Sequence, residues 1–97
     1  MSEQFSLCIV WHVKLEHVEE FAARVQESST ETHKDKGVIT FNWHKVVGEP
    51  TWILYEIWEG QHDSDVHRQK PDVQAFFAQM SRLLAGEPTI FQLDPLI

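Results

Sequence analysis

TWILYEIWE, residues 51–59, is the stretch whose reading decides the fold. It is dominated by β-branched and aromatic residues, which favour a pleated strand. Successive side chains of a strand point to opposite faces. Trp52, Glu56 and Trp58 therefore share one side, with Ile53 and Ile57 on the other. Both sides are apolar. An antiparallel sheet with one face in water shows polar residues at alternate positions, and this segment does not.

Working outward, Gly48-Glu49-Pro50 separates this strand from VITFNWHKVV, residues 38–47. So short a turn joins the two into an antiparallel hairpin. At the start of the chain, FSLCIVWHVK, residues 5–14, alternates Phe5, Leu7, Ile9, Trp11 and Val13 onto one face, while Cys8 and Val10 make the other face apolar too. Residues 16–35 form a helix, with Val18, Phe21, Ala22 and Val25 at helical spacing. Glu16, Glu19 and Glu20 crowd its positive end. A second helical region starts near Asp63 or Ser64, either of which can cap it, and Pro71 interrupts it. Val73, Phe76, Phe77, Met80, Leu83 and Leu84 form its apolar stripe, and Gly86 is a natural stop. TIFQL after Pro88 is a fourth strand, and Asp94–Ile97 is a tail.

The order β-α-β-β-α-β is the ferredoxin-like arrangement, an α+β fold with the first and third strands central. One domain accounts for all 97 residues, with no internal linker. Two helices cover only one face of such a sheet, yet three strands are apolar on both. The economical cover for the second face is another copy of the chain, giving a homodimer in which two sheets pack face to face as an α+β barrel. The same packing would explain most of the richness in Trp11, Trp43, Trp52 and Trp58.

Composition narrows the function. Eight Lys and Arg against fifteen Asp and Glu leave a net charge of −7, a field that repels nucleic acid. No apolar run approaches the ~20 residues of a membrane span, and the amino terminus lacks the pattern of a signal peptide. A single cysteine, Cys8, excludes an intrachain disulfide and suits the cytoplasm. Its strand setting between Leu7 and Ile9 is that of a small hydrophobe without an activating base. The six histidines include no HxH or HxxxH pair, so no metal is expected.

From Leu54-Tyr55-Glu56-Ile57-Trp58-Glu59, through Asp65-Val66-His67-Arg68, to Pro71 and Ala75-Phe76-Phe77, the chain resembles the antibiotic biosynthesis monooxygenase family. Glu-x-Trp followed nine residues later by His is its most specific element. The resemblance implies a dimeric α+β barrel with a pocket between sheet and helices in each subunit. It also implies a cofactor-free oxidation of hydroquinone-like or anthrone-like aromatics by molecular oxygen, needing neither metal nor flavin. Other branches degrade haem or process the phosphorylated autoinducer-2 signal. The haem-degrading branch has Trp where this chain has His67, and its axial histidine aligns at or near Phe77, so haem is not expected. For the autoinducer-2 reading, an isomerase-like activity, the chain offers Lys45, Arg68 and Lys70 as phosphate ligands. A third reading is a non-catalytic dimeric binding protein.

Five residues carry the enzymatic reading. Glu56, in an apolar strand, is either a paired structural carboxylate bonded to His67 or Arg68, or an acid–base group. His67 is either a helix histidine bonded to Glu56 or the proton acceptor, the two roles being compatible. Trp58 and Phe77 would flank a planar substrate. Asn42, which alternates with His44, Val38, Thr40 and Val46 on one side of its strand, would bind a substrate oxygen or simply face water at the sheet edge.

Overall fold

A computed structural model describes residues 3–94; the expected tail falls outside them from residue 95 onward, as do Met1 and Ser2. The elements run β1 (Phe5–His12), a 3-10 turn (Leu15–His17), α1 (Val18–Thr32), β2 (Val38–Lys45), β3 (Thr51–Trp58), α2 (Gln61–Gln69), α3 (Pro71–Leu83) and β4 (Thr89–Leu93). The sheet order is β2-β3-β1-β4 and every neighbouring pair is antiparallel. The first and third strands are central, as the ferredoxin-like reading requires. Among the described residues, no helix is long and apolar enough to cross a membrane.

All three helices lie on one face of this sheet. Ile9, Trp11 and Val13 of β1 and its extension, Phe41 of β2, and Trp52, Leu54 and Trp58 of β3 pack there against Phe21, Val25, Met80 and Leu83 of α1 and α3. Phe21 lies 4.9 Å, ring to ring, from Trp52. The four tryptophans thus sit under the helices, not at the dimer packing that the sequence pattern suggests for most of them. Register explains the difference: Trp11 pairs with Trp52 and Trp43 with Leu54, so strand alternation sends all of them to the same side. The opposite face carries Val10, Ile53 and Ile57, half-buried, together with exposed Tyr55, Phe91 and Leu93.

Local chemistry moves several boundaries. The first helix starts later than Glu16 and ends at Thr32, after a 3-10 turn, and Ala22 is exposed beside the buried stripe of Phe21, Val25 and Thr32. In β2 a bulge between Val38 and Thr40 turns Val38 into the core, away from Asn42 and His44. Val46 and Val47 leave the strand for the hairpin turn, closed by Val46 N–H on Thr51 O at 2.8 Å. Neither Asp63 nor Ser64 caps α2, because the helix begins one turn earlier with Gly60 at its cap. Pro71 opens α3 at a position where its missing N–H costs nothing, after an extended Lys70. The last helix stops at Leu83 rather than near Gly86. There Lys14 N–H takes the Leu83 carbonyl at 2.8 Å, and Ala85 N–H bonds His12 O at 2.8 Å, drawing the chain back to β1.

Two features of the β2 approach matter for the site. Gly37 has φ +84°, a left-handed conformation that glycine adopts without strain. Its missing side chain is also needed, since a Cβ there would lie 2.3 Å from Asp63 Cγ on α2. Glu59 N–H bonds Gly37 O at 2.7 Å. The turn is thereby pressed against α2 and the end of β3. Gly37→Ala should lose about 1–2 kcal/mol of stability from backbone strain alone. A thermal melt should show a fall of at least about 4 °C.

Candidate functional site

Glu56 is 2% exposed and belongs to the buried face of β3. A carboxylate is costly to bury unless its oxygens are satisfied. Here Trp58 Nε1 donates to Glu56 Oε1 at 2.8 Å, and Arg68 Nη2 stands 3.6 Å from Oε2. The i, i+2 relation within one strand makes the first contact local, while α2 supplies the second. Glu56 is thus anchored on one oxygen by an indole and on the other by a partly exposed cation.

His67 does not bond Glu56. Along the polar helix α2, Ser64 and His67 are the buried residues, one turn apart, so the helix presents His67 inward. Its ring lies 4.9 Å from that of Trp58 and 5.7 Å from that of Phe41. His67 Nδ1 meets Asp35 Oδ2 at 2.7 Å, and Lys70 Nζ donates to Asp35 Oδ1 at 2.6 Å. Burial pushes the Asp35 carboxyl up, but hydrogen bonds from Lys70 and then His67, with their charges, outweigh it and hold the group below its ordinary range. The bond to Asp35 in turn raises the Lys70 ammonium, against a smaller opposing effect of burial.

An ionised carboxylate can only accept hydrogen bonds. His67 Nδ1 must therefore carry the proton shared with Asp35. In the neutral imidazole, Nε2 is then the atom with a free lone pair, the one able to take a proton. A carboxylate that fixes tautomer and ring orientation is a common device in acid–base sites.

Glu56, His67, Arg68, Trp11, Trp43 and Phe77 are among the walls of a narrow void of about 10 Å³. That is at the lower limit for a single water molecule. Trp11 and Phe77 also border an open apolar groove of about 330 Å³ with Met80, Leu84 and Pro88. Of the residues singled out from sequence, Glu56, His67 and Phe77 come together at the void. Trp58 is fully buried behind it, held by Glu56 and His67. Asn42 does not join them. It pairs with Tyr55 across the hairpin, on the far face of the sheet, and borders a separate groove with His33, Trp43 and His44.

Asp35 is the residue that sequence reasoning missed. It falls at the last position of the expected first helix, 32 residues before His67, and no short spacing connects them. A usable signal was the acid placed two residues ahead of Gly37, where the chain must turn. From sequence, Lys70 is a phosphate candidate and nothing more. Among the described residues, no three His, Cys, Asp or Glu side chains gather as a metal site would need.

Comparison with known proteins places this arrangement. A protein of Mycobacterium tuberculosis shares the fold with a TM-score of 0.92 at 18% identity, covering 98% of this chain and 97% of its own. A conserved protein of Methanosarcina mazei Go1 gives 0.87 at 23% identity, covering 93% and 90%. A crystal structure described as antibiotic biosynthesis monooxygenase gives 0.90 at 12% identity, covering 96% and 99%. At such identities the likeness is one of fold. Among curated proteins, none matches the sequence. The family model described as antibiotic biosynthesis monooxygenase matches residues 5–79, which take in β1 through most of α3 and every residue of the void. This chain belongs to the antibiotic biosynthesis monooxygenase family.

Proposed function

We propose that the chain is a cofactor-independent monooxygenase acting on a hydroquinone-like or anthrone-like aromatic with molecular oxygen. The observation that carries this reading is the buried His67, its Nδ1 bonded to an ionised Asp35, in the wall of an aromatic-lined void. His67 Nε2 takes a substrate hydroxyl proton, leaving an electron-rich anion that reduces oxygen. For a hydroquinone, one oxygen atom replaces a ring hydrogen as a hydroxyl and the second leaves as water. The two original hydroxyls become carbonyls, so the substrate itself supplies all the electrons. Asp35 orients the imidazole and stabilises its cationic form, Glu56 with Arg68 fixes the opposite wall, and Phe77 meets the ring.

The tight void also supports a second reading, a dimeric binding protein whose pocket is filled by its own side chains. The autoinducer-2 reading draws less support. Lys45 bonds the Glu49 carbonyl at the hairpin, Lys70 is engaged by Asp35, and Arg68 faces Glu56. Each of the three cations is thus already held by an oxygen of the protein. We further propose that a second copy covers the sheet face bearing Tyr55, Phe91 and Leu93, and that the protein works in the cytoplasm. An apolar sheet face of that kind marks an association surface.

Oxygen uptake with a panel of hydroquinones should exceed the protein-free rate, and His67→Gln should lower kcat by about 100-fold or more. Consumption no faster than without protein would end the monooxygenase reading. Asp35→Asn should destabilise the protein at neutral pH. The unfolded chain binds the Asp35 proton more tightly than the folded one, so this contribution is complete above pH ~3.9 and fades as pH falls through the lowered folded value. Denaturant curves of the two proteins should converge below that range. Sedimentation at micromolar concentration should return about twice the chain mass of 11.3 kDa, and Tyr55→Glu should shift it toward monomer.

A further inference from the structure

Among the described residues, two buried indole donors have no hydrogen-bond partner: Trp11 Nε1 and Trp43 Nε1. The contrast with Trp58, which donates to Glu56, is sharp. Folded proteins leave few buried donors unmet, because each forfeits its hydration without a replacement. Both unmet indoles are walls of the same void beside His67 and Glu56, and their rings lie 5.6 Å apart. Trp11, 1% exposed, also continues into the neighbouring groove of about 330 Å³. Only Phe77 shares both cavities with it. That ring stacks on Trp11 at 5.8 Å and 27°, and is itself 37% exposed.

We infer that Trp11 and Trp43 together recognise a hydrogen-bond-accepting oxygen on a flat aromatic ligand, whose ring occupies the groove once Phe77 turns aside. The groove has the size and a largely apolar lining of a small-ligand site, with Ser81 and Glu87 as its polar side chains, and the two indole N–H groups of the adjoining void add donors at its inner end. The inference rests on the proposed enzymatic use of this site and adds the substrate feature that the site reads. An oxygen made anionic by loss of its proton accepts more strongly than a neutral hydroxyl, so the same donors favour the charged species that must react.

Binding of α-tetralone, a bicyclic ketone without a donor, is compared with binding of tetralin, its analogue lacking the oxygen. The intact protein should bind α-tetralone at least about tenfold more tightly, the order expected when a polar ligand group satisfies buried donors. Trp43→Phe, which keeps an aromatic ring and removes one donor, should shrink that ratio to about threefold or less. Trp11 is deep in the core, so nitrogen–proton spectra of the unaltered chain replace its variant. The indole signals of Trp11 and Trp43 should move with α-tetralone and stay in place with tetralin. Equal affinity for the two ligands, as when a resident water already satisfies both donors, overturns the inference. So does binding of neither, or a Trp43→Phe protein that keeps the full ratio. Retained selectivity without oxygen uptake would remove the oxidation and leave the donor pair standing. Uptake without selectivity would do the reverse.

Discussion

Strand alternation in β3 is the constraint on which the remainder depends. Trp52, Leu54, Glu56 and Trp58 must all face the same way, and the helices cover that side. Three of these residues make core. The fourth is a carboxylate at 2% exposure, and a charge so placed is tolerable only with partners. Trp58, two residues on, is therefore more than packing, since its N–H satisfies the oxygen that the core would otherwise strand. The other oxygen draws Arg68 inward and orients α2 over the sheet.

The same helix has a second tether. His67, one residue before Arg68, reaches the turn that carries Asp35 instead of the strand that carries Glu56. Asp63 lies against Gly37 two residues beyond Asp35, where a side chain would collide with it. A helix of nine residues with little apolar surface has weak intrinsic reason to be there. Polar contacts to the strand on one side and the turn on the other give it a unique seat. The groups that hold α2 down are also those the proposed reaction uses, so on that proposal stability and chemistry draw on one set of side chains.

How far the fold could be read ahead follows from range. Period-two alternation in residues 5–14 and 51–59 and the Gly48-Glu49-Pro50 turn are local signals, and they yielded the sheet order correctly. The bulge at Val38–Thr40 and the early stop at Leu83 were hidden because each is set by a partner strand. Tryptophan placement was misjudged for the same reason. An apolar strand does not say which face its largest residues take until register is known. At the site, Glu56 beside Trp58 was legible from i, i+2 spacing. His67 with Asp35 was not, because their contact joins two segments that meet only after the hairpin has closed.

Buried Glu56 and half-buried Asp35 differ in their donors. Glu56 has its oxygens committed to an indole and a guanidinium, both tied to the scaffold, and so serves as a fixed wall. Asp35 is engaged by His67, a neighbour that can carry a proton on either ring nitrogen, and by a Lys70 with a third of its side chain in water. A proton arriving on His67 strengthens the Asp35 contact, because the carboxylate is already ionised and needs no rearrangement to meet the cation. That gain accompanies proton uptake and is absent before it, so in the proposed reaction it would favour a transition state in which the imidazole is becoming charged. With Glu56 bound to the scaffold and Asp35 to His67, the proposed oxidation asks only one group to exchange protons, and it gives that part to His67.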